Sequence, residues 1–358
     1  MKNIWFTGLL LGLSFTGVCG KNQVDVTIIP QEKIQMLNEA DDFIDAIPEG
    51  QQDRQADAVL HALQGSSIEL QQVRQSRDAA PKYSGGVEVK EICPLSGDAR
   101  GVNMRLYRPK ESEGKELPLL IYFHGGGWTF GSLNSCASFC DALASSGKVE
   151  VLSVDYSLAP ESPFPRGLSD CIAATEYAFA NSSELGTSPA LISLGGDSSG
   201  GNLALATALY FAENNTENEI RSLALYYPVV SLENENAGSW KEYSRGYGLD
   251  KRLMEAFIKA YDDKGKASEM LGEISKNVLK SPAGASTELL AKLPPMMLIT
   301  AERDILADQC GAFAQKAKGA GVDIQSVQFP GAVHLFITVP GQPTAFKKAV
   351  SLTADYLK

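Results

Sequence analysis

The stretch from Leu191 to Tyr210 constrains this chain more than any other. A mostly apolar run suited to a buried strand, Ala190 to Leu194, leads through Gly195-Gly196-Asp197-Ser198-Ser199-Gly200-Gly201 into a helix-period pattern. A chain that turns sharply from strand to helix needs small residues at the bend, and Gly196-Asp197-Ser198-Ser199-Gly200 supplies them as an instance of G-x-S-x-G. The serine at the centre of such a turn has strained backbone and an exposed hydroxyl. The helix behind it aims its free N-terminal N–H groups at the same point, which favours negative charge there. Ser198 is therefore the candidate nucleophile, and the N–H of Ser199 a candidate donor to an oxyanion.

The remaining pattern supplies the sheet such a turn requires. Apolar runs occur at Leu117–Phe123, Val149–Val154, Ala190–Leu194, Leu223–Tyr227, Met296–Thr300 and Ile324–Phe329. Helical patterns separate or follow them at Ser135–Ser146, Ser169–Ala180, Asn202–Ala212, Ile305–Gly319 and Thr344–Leu357. Near-continuous apolar strands alternating with helices predict an α/β protein whose parallel sheet is covered on both faces. Two alternating segments, Val87–Ile92 and Val102–Tyr107, add an antiparallel pair at one edge, giving a mostly parallel sheet of eight strands. In such sheets ligands sit beyond the carboxyl ends of the strands.

Two regions break this rhythm. Gln31–Ile47 carries Ile34, Leu37, Ile44 and Ile47 on a helical stripe, and a weaker helix runs over Ala56–Leu63. Pro228–Pro282 has no strand pattern but includes a helix from Asp250, with Leu253, Met254, Phe257, Ile258 and Tyr261 on one face. Together they are expected to form a helical cap over the active edge. The predicted layout is a signal peptide at 1–20, an N-terminal cap segment at 21–85, and a catalytic domain at 86–358 with a cap insertion at about 229–281.

Lys2, the apolar or small run Ile4–Gly20 and the close Val18-Cys19-Gly20 follow the plan of a secretory signal. A secreted or periplasmic protein is expected, with lipidation at Cys19 or a retained N-terminal anchor as the alternatives. Five cysteines follow, Cys93, Cys136, Cys140, Cys171 and Cys310. An odd number cannot all pair within one chain, and buried free thiols are the expectation for most of them. The net charge of −11 argues against nucleic acid and anionic membrane surfaces. No clustered metal ligands or nucleotide motif appear, so neither a metal nor a cofactor is expected. Oligomeric state, monomer or dimer, is not written in the pattern.

The other chemistry-bearing groups lie at strand ends. Tyr122-Phe-His124-Gly125-Gly126-Gly127-Trp128 closes one apolar strand, and its glycines let backbone N–H groups point at a developing oxyanion. Gly126 and Gly127, with Ser199, are the chosen donors, and His124 is expected to brace the loop that Gly125 begins. A serine nucleophile needs a base and an orienting acid. Of the three histidines, His61 lies in the N-terminal helices and His124 in the glycine loop. His334, in the loop after Ile324–Phe329, is left as the base. Asp304 follows Met296–Thr300 just before a helix and is preferred as the acid, with Glu302 and Asp308 as competitors.

These segments resemble the hormone-sensitive-lipase-like carboxylesterases, the bacterial-type family IV esterases. The resemblance rests on His124-Gly-Gly-Gly-Trp128, Asp155-Tyr-Ser-Leu-Ala-Pro-Glu161 with Phe164-Pro165, Gly196-Asp-Ser-Ser-Gly-Gly-Asn202, Tyr227-Pro-Val-Val230, Ser281-Pro282, Asp304-Ile-Leu306 and His334 before Phe336. It covers roughly Gly86 to Lys358. It implies the α/β-hydrolase fold, a helical cap and serine esterase activity on small-molecule esters. It also supports Ser198, Asp304 and His334 as the triad, with Gly126, Gly127 and Ser199 as the oxyanion donors. Ser157 and Ser162 depart from the arginine and histidine usual at those places. Amide or N-acyl hydrolysis would use an identical triad. A binding protein on the same fold, as in relatives that lose the histidine, is disfavoured because His334 is present. Lys251, Arg252, Glu255 and Lys259 on the cap helix predict soluble esters of short acyl chains, and Trp128 and Phe130 are expected to narrow the acyl pocket.

Overall fold

The structure is a computed structural model, and it describes residues 26–97, 99, 101–214, 219–233, 237–262 and 276–358. The predicted signal segment and the middle of the cap insertion lie outside the described residues. Eight strands form one sheet there: β1 Val87–Ile92, β2 Asn103–Pro109, β3 Leu119–Phe123, β4 Glu150–Asp155, β5 Ile192–Asp197, β6 Leu223–Tyr226, β7 Met296–Arg303 and β8 Ile324–Val333. Their spatial order is β1-β2-β4-β3-β5-β6-β7-β8. β2 pairs antiparallel with both β1 and β4, and the remaining neighbours are parallel. This is the predicted parallel sheet with an antiparallel edge.

Helices α1 Pro30–Asp45, α2 Gln51–Leu63 and α3 Ile68–Arg77 precede the sheet. α4 Ala137–Ala144, α5 Arg166–Ala180, the one-turn α6 Ser182–Leu185 and α7 Ser199–Asn214 connect its central strands. α8 Gly238–Glu242, α9 Lys251–Tyr261, α10 Lys276–Lys280 and α11 Thr287–Leu290 lie between β6 and β7. α12 Ala307–Gly319 follows β7, and α13 Pro343–Leu357 ends the chain.

Alternation along β3 shows why both sheet faces must be covered. Leu119, Ile121 and Phe123 join one apolar cluster with Leu194, Leu205, Leu298 and Phe313. Leu120 and Tyr122 join a second with Phe139, Tyr226, Met297 and Phe329. Every residue of β3 and β5 is buried, as a strand sandwiched between helix layers requires.

The segments expected to form a cap do meet, although they are far apart in sequence. α9 buries Leu253, Met254, Ala256, Phe257, Ala260 and Tyr261 on one face. Beside it, Gln52 of α2 accepts from the Asp250 N–H at 2.6 Å, and Arg252 pairs with Asp57 of α2. α1 is held elsewhere: Arg303 Nη1 at the end of β7 reaches Asp41 at 2.6 Å, and Glu39 accepts from the Thr344 N–H at 2.8 Å.

α3 had no counterpart in the sequence reading. Only Leu70 of its ten residues is buried, so its apolar period is too thin to register. Charge fixes it in place instead. Arg74 forks onto both oxygens of Glu161 at 2.8 Å and also donates to the Ala159 and Thr129 carbonyls at 2.9 Å.

Candidate active site

Local packing places Ser198 at the bend between β5 and α7. Its φ is +56°, a conformation that L-residues adopt only where surroundings impose it. Its N–H donates to the Tyr226 carbonyl at 2.9 Å, and its own carbonyl accepts from Val229 at 3.0 Å. The flanking glycines are there for close approach. A Cβ on Gly200 would lie 2.0 Å from the Phe123 carbonyl oxygen, and one on Gly196 would lie 2.4 Å from it. The turn is thereby seated against the end of β3, where the glycine loop begins.

His334 arrives from the loop after β8. Its Nε2 is 3.0 Å from Ser198 Oγ, and its Nδ1 is 2.6 Å from Asp304 Oδ2. Asp304 Oδ1 in turn accepts from the Leu306 N–H at 3.0 Å. These contacts fit the tautomer with the proton on Nδ1 and a lone pair on Nε2 facing the serine hydroxyl. All three side chains are buried, Ser198 being the most open at 6%. Neither competitor of Asp304 faces the imidazole: Glu302 accepts from the Gly331 N–H at 2.6 Å, and Asp308 from the Ser239 N–H at 2.9 Å. Supports that the sequence reading had not picked out hold the histidine. Gln342 Nε2 donates to the His334 carbonyl at 3.3 Å, and the Tyr227 ring lies 4.4 Å from the imidazole.

The glycine loop is locked from below by Asp197, a residue inside the motif to which sequence reasoning gave no role. Its Oδ1 accepts from Tyr122 Oη at 2.7 Å and from the Gly125 N–H at 2.9 Å. Burial raises its carboxyl above the usual aspartate range, with those two hydrogen bonds opposing the rise. His124 lies with Nδ1 2.9 Å from the Gly125 carbonyl and its ring stacked on Tyr156 at 4.3 Å. Burial lowers its pKa, which keeps the imidazole neutral. Gly126 and Gly127 both have positive φ, +125° and +61°. Among the described residues nothing accepts from their N–H groups, and Ser199 begins α7, where the N–H has no intrahelical acceptor. Trp128 departs from expectation. It is 1% exposed and stacks on Tyr261 at 4.2 Å, so it anchors α9 and does not narrow the pocket.

A cleft of about 550 Å³ opens at Ser198. The glycine loop and Phe130 form its floor, α9 contributes Leu253 and Phe257, and α1 to α3 contribute residues such as Phe43, Gln55 and Arg77. A wider groove of about 1030 Å³ near Trp240 and Asp308 has no serine, cysteine or histidine among the described residues that line it. Four of the five described cysteines are buried free thiols, while Cys93 is exposed. Among the described residues no group of three or more His, Cys, Asp or Glu is placed to hold a metal ion, and no helix is long and apolar enough to cross a membrane.

Comparison with known proteins agrees with this fold. Residues 120–338 match the family described as alpha/beta hydrolase fold. An arylesterase of Saccharolobus solfataricus is 33% identical over 71% of this chain and 78% of its own. An ethyl acetate hydrolase of Pseudomonas putida is 30% identical over 78% of this chain and 85% of its own. The crystal structure of a thermostable esterase from Pseudomonas putida superposes with a TM-score of 0.71 at 28% identity, covering 85% of this chain and 95% of that one. By match, fold and topology, the chain belongs to the α/β-hydrolase fold family, in its hormone-sensitive-lipase-like branch of carboxylesterases.

Proposed function

We propose that this protein is a serine carboxylesterase that hydrolyses small, soluble esters of short acyl chains through an acyl-enzyme. The carrying observation is the buried chain Asp304–His334–Ser198, with contacts of 2.6 and 3.0 Å, beside the N–H groups of Gly126, Gly127 and Ser199. His334 Nε2 takes the proton as Ser198 Oγ attacks the ester carbonyl carbon, and the carbonyl oxygen becomes an oxyanion facing the three N–H groups. The tetrahedral adduct collapses, and the imidazolium returns its proton to the departing alkoxide. Water then attacks the acyl-serine with His334 again as base, and the carboxylic acid leaves as Ser198 regains its proton.

Support for short acyl chains comes from the size of the cleft and from its walls. Phe130 and Phe257 meet edge to face at 5.0 Å across the floor. Outside it, α9 presents Arg252, Glu255 and Lys259 to solvent, where a lipase working at a lipid surface would expose a broad apolar patch. The test is the series of p-nitrophenyl esters from acetate to palmitate, with p-nitroacetanilide alongside. We expect kcat/KM to peak between about two and eight acyl carbons, and Ser198→Ala to lower kcat by on the order of 10⁶. Ser199→Ala, which keeps its backbone N–H, should be far milder. A rate that climbs steadily to palmitate, or a faster anilide, overturns the assignment. The same proposal includes export, checked by N-terminal sequencing of the natively produced protein, which should begin near Lys21.

A further inference from the structure

The cleft in front of Ser198 contains a cation with no ion pair among the described residues. Arg77, the last residue of α3, lines it, and no other side chain in its lining bears a charge. Every other arginine side chain among the described residues makes a hydrogen bond or ion pair: Arg54, Arg74, Arg105, Arg108 and Arg166 before Ser198 in sequence, and Arg221, Arg245, Arg252 and Arg303 beyond it. Arg77 makes none with a described residue. Its guanidinium lies 5.5 Å from the centre of the Phe130 ring, so an aromatic face holds it while its donors stay open. Burial pulls its pKa below the usual arginine value, with the Asp197 carboxyl countering. Tyr122 and Gly125 hold Oδ1 of that carboxyl, and no hydrogen bond or ion pair joins the carboxyl to Arg77. The side chain of Gln55 of α2, which lines the same cleft and is 9% exposed, also makes no hydrogen bond to a described residue.

A guanidinium partly stripped of water and left without an acceptor is costly unless a ligand supplies the acceptor. The planar fork suits a carboxylate, which can take two N–H bonds at once. We propose that Arg77 is a specificity-determining residue, and that the preferred esters carry a carboxylate which pairs with it while the ester carbonyl sits at Ser198. This rests on the esterase reading of the cleft and names the substrate class within it. The carboxylate belongs to the acyl part or the alcohol part of the ester, and the test has an arm for each.

The experiment compares kcat/KM for acid and amide pairs that differ only in charge. Monoethyl glutarate against its terminal amide places the charge on the acyl side, and 4-acetoxybutanoate against 4-acetoxybutanamide places it on the alcohol side. The wild-type protein should favour the acid in at least one pair, by on the order of tenfold to a hundredfold. Arg77→Gln should bring that ratio to about one, and Arg77→Lys should keep part of it. Each ratio is taken within one protein, so a general loss of activity cancels. Wild-type amides that match the acids in both pairs, or a preference that survives Arg77→Gln, would overturn the proposal. Hydrolysis of p-nitrophenyl acetate by the wild-type protein separates the two levels. Without it the esterase reading fails, and with it a ratio near one sinks the carboxylate proposal alone.

Discussion

Gly127→Ala probes the proposed oxyanion loop through a single methyl group. At φ +61° an alanine costs about 1–2 kcal/mol in backbone strain. The methyl also has nowhere to go: it would lie 2.1 Å from Cδ2 of Phe257, where ordinary contact begins at 3.4 Å. Phe257 cannot swing freely aside, because Phe130 meets it edge to face at 5.0 Å on the cleft floor. An overlap of more than an ångström must therefore be absorbed by the loop, which carries the N–H groups of Gly126 and Gly127 away from Ser198. Loss of one such donor costs about 10²–10³ in kcat. Strain and overpacking together should lower stability by about 2–5 kcal/mol. Burst and steady-state kinetics on p-nitrophenyl acetate read the first quantity, and urea unfolding the second. Phe257→Ala removes the obstacle but not the strain, so adding it to Gly127→Ala should restore at least tenfold in kcat relative to Gly127→Ala alone. The reasoning is refuted if Gly127→Ala keeps kcat within tenfold of wild type, or if the second change restores nothing.

Three further outcomes are expected. Asp197→Ala strands Tyr122 Oη and the Gly125 N–H in the interior, so it should cost about 2–6 kcal/mol and misplace the loop, whereas Asp197→Asn keeps an acceptor oxygen and should be much milder; equal effects in urea unfolding would count against the Gly125 anchor. Asp304→Asn should fold normally yet lose roughly 10⁴-fold in kcat, as the matching change does in serine proteases, while Glu302→Gln stays near wild type; the reverse pattern would move the acid to Glu302. Burial raises Glu150 to about 8, with Arg108 at 2.9 Å opposing. The folded state thus holds a proton that the unfolded state releases above about 4.5, and stability should fall as pH climbs from there toward 8, by at most about 1.4 kcal/mol per unit, a decline that Glu150→Gln should flatten in urea titrations.

What the sequence made legible follows the range of the interactions involved. Ser198, His334 and Asp304 each sit where a strand ends, and strand ends are marked locally by apolar runs meeting glycine or charge. Their meeting in space then follows from the parallel sheet. α3 was invisible because its hold is one arginine on Glu161, 87 residues away. β8 was expected to stop at Phe329, since Pro330-Gly331 reads as a breaker. It continues to Val333 because β8 is the outermost strand, where a proline leaves no ladder bond unmade on the open side, and the register with β7 shifts between Ala301 and Arg303. Trp128 was misjudged because the direction of a side chain after a glycine run is set by φ +56° and by Tyr261, neither of which periodicity encodes.

The junction of α2 with α9 also bears on how the molecule is made. Gln52 waits for the backbone of Asp250, 198 residues later, and Asp57 waits 195 residues for Arg252. At roughly 5–20 residues per second of synthesis, the N-terminal helices spend about 10–40 s outside the ribosome before their partner exists. Glu39 of α1 waits longer still, 305 residues, for Thr344. Helices that must stay unattached so long are better sparse in apolar surface. α1 carries Glu32, Glu39, Asp41, Asp42 and Asp45, and buries only Met36 and Ala40 once docked. So thin a buried surface lets these helices remain dispersed until the sheet is complete and the front wall of the cleft can close.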